Sequence, residues 1–104
     1  MIVITSSTLP GKEIKKSFGV VRGNTVRARH LGKDIIAGFK TMVGGEIQEY
    51  TKLMAESREQ SIDRMIEEAK ALGANAIVDV RFSTSYIMSN VAEILVYGTA
   101  VYAE

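Results

Sequence analysis

The chain has no cysteine, no tryptophan, one proline and one histidine in 104 residues. Without cysteine there is no disulfide scaffold, no thiolate metal site and no thiol nucleophile, which suits a reducing compartment. A single histidine leaves too few imidazoles for a zinc site built within one copy. No apolar run approaches the roughly 20 residues a membrane-spanning helix requires. The opening Met1-Ile-Val-Ile-Thr is too short for a signal peptide core and lacks a basic leader, so a cytoplasmic protein is expected. No Gly-Lys-Ser/Thr follows the glycines at 38, 44 and 45, so they form no phosphate loop.

What is present has the composition of one ordinary globular domain, 46% hydrophobic and 24% charged. The charge is unevenly spread. Residues 1–40 hold eight Lys or Arg against two acids, and residues 41–104 hold five against ten, giving +6 and −5. A basic surface for an anionic partner is one consequence, and mutual attraction of the two halves is the plainer one. Only Phe18 and Phe39 interleave the basic stretch, which is poor stacking for single strands, so nucleic acid is not the expected partner.

Along the chain, Ile2–Thr5 reads as a short strand, and Leu9-Pro10-Gly11 as a turn in which Pro presets φ and Gly accepts φ > 0. Residues 13–22 roughly alternate, with Ile14, Phe18 and Val20 assigned to one face. Gly23-Asn24 offers a tight hairpin, with a return strand from Thr25 to about Arg29. Ile35, Ile36, Phe39, Met42 and Val43 recur at helical steps, predicting a short helix around Lys33–Val43 that ends at Gly44-Gly45.

The strongest pattern runs from Glu46 to Leu72. Ile47, Tyr50, Met54, Ser61, Met65, Ala69 and Leu72 form one stripe of a long helix, broadened by Leu53, Ile62 and Ile66. Acids occupy its first turn, Lys70 its last, and Gly73 the position just beyond. Two strands follow, Ala76–Ile87 and Val91–Ala103, around a Met88-Ser89-Asn90 loop. The first is read as strictly alternating, with Ala76, Val78, Val80 and Phe82 together and Asp79 and Arg81 opposite. The last strand is apolar on both faces, which calls for cover on both.

Short strands, helices and then a strand pair specify an α+β two-layer sandwich on a mostly antiparallel sheet. One long helix covers one face. The short helix could cover part of the other face, but a neighbouring copy is the simpler solution, so a homo-oligomer is expected.

Chemistry is thin. Arg58 lies within the apolar stripe and needs solvent or a partner, for which Asp79 and Glu93 on the following strands are the candidates. Such a set could line a pocket with shifted titrations or fix helix-to-sheet register. His30 and Asp34 share a helix face if the short helix starts early, two ligands at most. Met42, Met54 and Met65 lie at core-facing positions, where packing explains them. Ser6, Ser7 and Thr8 stand beside no visible base. No metal ligand set, cofactor or catalytic residue is assigned, and an enzyme is the less expected class.

Several segments together carry a family resemblance. They are Val20-Val21-Arg22-Gly23-Asn24, Gly44-Gly45-Glu46 with Tyr50, Glu56-Ser57-Arg58-Glu59, Ala71-Leu72-Gly73-Ala74-Asn75-Ala76-Ile77-Val78 and Tyr97-Gly98-Thr99-Ala100-Val101. In order and spacing the chain resembles the YbjQ-like family over essentially its whole length. The resemblance implies a dodecin-subunit-like β-α-β-β core with extra short N-terminal strands, and a homopentameric ring. The family's label is heavy-metal binding, against which this chain sets no Cys and one His. The expected role is a ring-forming domain that binds a small or anionic ligand or scaffolds a partner. Tyr50, Arg58, Asp79 and Glu93 are the candidate pocket or inter-subunit residues, with heavy-metal binding and an enzyme using buried carboxylates as alternatives.

Overall fold

The computed structural model describes residues 1–28, 42–43, 46–88 and 91–104. The elements are β1 (Ile2–Val3), β2 (Ile14–Ala28), β3 (Met42–Val43), β4 (Glu46–Ile47), α1 (Gln48–Leu72), β5 (Ala76–Met88) and β6 (Val91–Ala103). Four strands form one sheet in the order β1-β5-β6-β2, and β3 and β4 pair as a separate small ladder. β1 runs parallel to β5, while β2 and β5 each lie antiparallel to β6. This is an α+β fold with a mixed sheet and the β-α-β-β order of β2-α1-β5-β6. No helix among the described residues is long and apolar enough to cross a membrane.

The long helix forms where the apolar stripe places it. At 25 residues it is roughly 37 Å long. It begins at Gln48, because Glu46 and Ile47 pair with Val43 and Met42 in the β3–β4 ladder. Val43 and Met42 were expected to close a short helix and are strand instead; the rest of that helix falls on residues outside those described. At the other end, Gly73 takes φ +91°. Its N–H donates to the Lys70 carbonyl at 3.0 Å, and the Ala74 N–H donates to the Ala69 carbonyl at 3.1 Å. These two bonds are the paired 5→2 and 6→1 closures that satisfy the last helical carbonyls.

β2 overturns one expectation. Gly23-Asn24 makes no hairpin: Ile14 to Ala28 is one strand of 15 residues, paired along its length with β6. The glycine serves a different need. A Cβ on Gly23 would lie 2.0 Å from the Ser61 carbonyl oxygen and 2.6 Å from the Met65 backbone nitrogen. Its missing side chain lets α1 rest directly on the sheet. Register shifts between Ile14 and Lys16 and between Ser17 and Gly19 also break the expected alternation. Phe18 therefore packs against the core while Val20 is 63% exposed.

β5 departs from strict alternation for a related reason. Two residues, Asp79 and Val80, stand opposite Gly98 alone, forming a bulge in which Asp79 has φ +55°. The bulge moves Val80 onto the face of Ile77, whereas Ala76 and Val78 face away. The main core between helix and sheet comprises Val21, Met65, Ala69, Ala74, Ile77, Val80, Val96 and Ala100. A smaller core on the opposite face gathers Leu9, Ala76, Val78, Val101 and Ala103. The Pro10-Gly11 turn delivers Leu9 there, with Gly11 at φ +79° and the Lys12 N–H donating to the Leu9 carbonyl at 3.1 Å.

Candidate functional site

Three small polar side chains lie between helix and sheet. Thr25, Ser57 and Ser61 are fully buried. The Thr25 hydroxyl donates to the Ser57 carbonyl at 3.1 Å and lies 3.1 Å from the Ser61 hydroxyl. The Ser61 hydroxyl is 2.9 Å from the Ser57 carbonyl and 3.2 Å from that of Ile94, and Ser57 donates back to the Leu53 carbonyl at 2.8 Å. Among the described residues no buried side-chain nitrogen or oxygen lacks a partner. The cluster is internally satisfied, so it joins α1 to β2 and β6 and offers no unused group for chemistry. Further out, the Arg27 guanidinium donates to the Gln60 side-chain oxygen, and Arg64 donates to the Asn24 carbonyl at 2.6 Å. The Thr25, Arg27 and Arg64 contacts draw the helix toward β2, and the Ser61–Ile94 contact holds it on β6.

The consequence is lopsided cover. α1 packs on β2 and β6 and scarcely touches β5. On the β5 side a groove of about 440 Å³ remains open, lined by Val3, Ile4, Thr5, Ile62, Val80 and Phe82. Beyond it Phe82 is 47% exposed, Ile87 54% and Met88 63%. Thr5 supplies the only polar side chain of the lining. The groove suits apolar contact and carries no acid, base or nucleophile.

The face away from the helix differs. Arg22 on β2, Tyr97 on β6 and Arg81 on β5 occupy one cross-strand row. Adjacent positions in a row are about 5 Å apart at Cβ, so the Cβ atoms of Arg22 and Arg81 lie on either side of that of Tyr97, about 10 Å from each other. One Arg81 nitrogen already donates to the Thr5 and Val80 carbonyls at 2.9 and 2.8 Å. Sequence reading missed this row, because only strand register places residues 22, 81 and 97 together.

Of the residues singled out from sequence, Tyr50 lies in the first turn of α1. Arg58 is exposed on α1, one turn before Ile62 and on the same side of the helix. Asp79 sits in the β5 bulge, where its Oδ1 accepts the Ser7 hydroxyl at 2.7 Å and its N–H donates to the Ser6 carbonyl at 3.0 Å. Glu93 lies on the helix-free face and accepts from the Asn24 amide at 3.2 Å. Asp79 and Glu93 are thus on different parts of the sheet, each with its own partner. Among the described residues the ion pair formed is Lys15–Glu13, at 3.0 Å. Asp79 and Glu93 are half-buried and neither lines the groove.

Residues capable of holding a metal meet the same test. No three His, Cys, Asp or Glu side chains converge among the described residues. His30 and Asp34 lie outside them. The described part of one copy does not fit a heavy-metal ion.

A β-α-β-β order with one helix packed on part of one sheet face defines a small α+β two-layer domain. Residues 1–104 match a family model described as "Putative heavy-metal-binding", and the chain belongs to that YbjQ-like family. Similar proteins include a UPF0145 protein of Thermosipho melanesiensis, 60% identical over 101 residues, 97% of this chain and 94% of that one. A UPF0145 protein of Methanosarcina acetivorans is 54% identical, covering 97% and 95% of the two chains. A crystal structure of a DUF74-family protein of unknown function from Pediococcus pentosaceus superposes with a TM-score of 0.68, over 100% of this chain and 98% of that one. At 16% identity that likeness concerns the fold.

Proposed function

We propose that this chain is a cytoplasmic, non-enzymatic subunit of a homomeric ring, with five copies as the family resemblance implies. The observation that carries the reading is the uneven cover of the sheet. One helix shields β2 and β6, while Phe82, Ile87 and Met88 on β5 and Val20 and Val26 on β2 stay about half exposed or more. Large exposed apolar areas on a small domain are association surfaces. Native mass spectrometry and sedimentation velocity at micromolar concentration test it. A species of five protomer masses is expected, and a stable monomer refutes the reading.

The ligand class that best suits such a ring is a small anion. The Arg22–Tyr97–Arg81 row supports this, since it sets two arginine positions on one face of the sheet and guanidiniums recognise carboxylates and phosphates. Tyr50, Arg58, Asp79 and Glu93 are retained as positions for ligand or inter-subunit contact. The family description favours a second reading, heavy-metal binding. Its ligands would then come from residues 29–41 or from several copies together. Metal analysis of tag-free protein tests it: stoichiometric retention that disappears in His30→Ala supports a site at His30, and retention that persists removes His30 as an essential ligand.

A further inference from the structure

We propose that the groove beside β5 binds a medium-chain aliphatic carboxylate, with its tail along Ile62, Val80 and Phe82 and its carboxylate at Arg58. The inference goes beyond the ring reading, because every residue of the site belongs to one copy.

Strand register places the two ends of the site. Gly23, Val96 and Phe82 share one cross-strand row, and Thr25, Ile94 and Thr84 share the row two residues on, where side chains return to the same face. The backbone of Ser61 rests on Gly23, and the Ser57 carbonyl accepts from Thr25. The helix therefore passes Phe82 at the level of Ser61 and Ile62, and passes Thr84 at the level of Ser57 and Arg58. Gln60 and Arg64 reach toward β2, to Arg27 and Asn24. Arg58 and Ile62 each precede one of these by two residues, which turns them roughly 160° around the axis, onto the flank toward β5. Ile62 accordingly lines the groove, and Arg58 follows it one turn away.

Shape and charge select the ligand. A volume of about 440 Å³ falls in the range of roughly 300–1,000 Å³ that small-molecule sites occupy. Val80 and Thr84 are about 13 Å apart along β5, the reach of about ten carbons joined in a zigzag by bonds of about 1.5 Å. The lining is apolar except for Thr5. From Phe82 to Met88 β5 carries no charge, and the helix neighbours of Arg58 at three and four residues, Met54, Ala55, Ser61 and Ile62, are uncharged. Among the described residues Arg58 joins no ion pair. An aliphatic anion supplies the missing counter-ion and covers the apolar strip at once. One guanidinium balances one charge and its fork matches a carboxylate, so a monoanionic carboxylate is the fitting head group. Arg58 is exposed, which keeps that head in water while the tail leaves it.

Calorimetric titration of the full chain with decanoate tests the proposal, and saturable binding of one decanoate per chain is expected. Octanoate and hexanoate should bind more weakly, by about fourfold for each methylene removed. Arg58→Gln should weaken decanoate about fivefold, the upper end for an exposed ion pair, and leave decan-1-ol unchanged. Phe82→Ser should weaken both ligands about tenfold. Circular dichroism checks that each variant folds. A flat chain-length series, or an Arg58 variant that affects acid and alcohol alike, overturns the assignment. Amide shifts on adding decanoate should centre on residues 58–62 and 80–84; shifts centred on Tyr97 would place the anion on the helix-free face and overturn it as well. So would an absence of saturable binding, including one caused by a second copy filling the groove. Native mass spectrometry separates this outcome from the ring. A monomer that binds decanoate removes the ring and leaves the groove site, and a ring that binds none removes the groove site and leaves the ring.

Discussion

Gly23 and Ser61 meet backbone to backbone: a Cβ on the strand glycine would fall 2.0 Å from the helix carbonyl oxygen. This contact fixes how close α1 comes to the sheet and which strands it covers. The Thr25–Ser57–Ser61 hydroxyls and the open groove beside β5 follow from it.

Gly23→Ala should therefore be costly. The obstructing atoms are backbone, so no rotamer change relieves them and the whole helix must move. Overpacking of this kind costs about 3 kcal/mol. Urea denaturation at fixed protein concentration reads it, and a midpoint equal to wild type would show that the helix does not seat there.

Thr25→Val keeps the shape of the side chain and removes the hydroxyl that donates to the Ser57 carbonyl. A buried neutral hydrogen bond of this type is worth about 1 kcal/mol, and the loss stays near that because the Ser57 carbonyl keeps the Ser61 hydroxyl at 2.9 Å. Ser61→Ala should cost a similar amount. The double variant should lose less than the sum of the singles, because the two hydroxyls share partners.

Asp79 holds φ +55°, a left-handed conformation that costs an ordinary L-residue about 1 kcal/mol and that Asp and Asn tolerate best. Its carboxylate also accepts the Ser7 hydroxyl. Asp79→Ala is expected to lower the melting temperature more than Asp79→Gly or Asp79→Asn. If Ala proves the mildest of the three, the bulge is not held in that conformation.

Arg58 is exposed and pairs with neither Asp79 nor Glu93 in its own chain. On the proposed reading of a homomeric ring, Arg58→Ala should leave the circular dichroism spectrum unchanged and shift dissociation of the copies to several-fold higher protein concentration. Sedimentation over a dilution series measures the shift. An unmoved dissociation point removes Arg58 from the contacts between copies.

Local chemistry made much of the architecture legible. The helical stripe ending at Leu72, the Gly73 closure, the Pro10-Gly11 turn and the last strand from Val91 to Ala103 all occur where pattern and propensity put them. The misreadings involve residues whose partners are distant in sequence. Gly23-Asn24 has the composition of a hairpin turn, yet Gly23 answers to a helix almost forty residues away. The Asp79–Val80 bulge answers to Gly98: a Cβ there would lie 2.8 Å from Ile77 Cγ2 and 3.0 Å from the Val78 carbonyl. No window along the chain contains either pair.

Sequence alone determined the α+β class, the single long helix and the excess of apolar strand over helical cover, because each depends on periodicity and composition within short windows. Tertiary structure decided which strands the helix covers, which face each β5 residue occupies and where Arg22, Tyr97 and Arg81 come into line. Those outcomes depend on a backbone contact at Gly23 and a one-residue register shift at Asp79. A shift of one residue sends every later side chain to the opposite face of a strand.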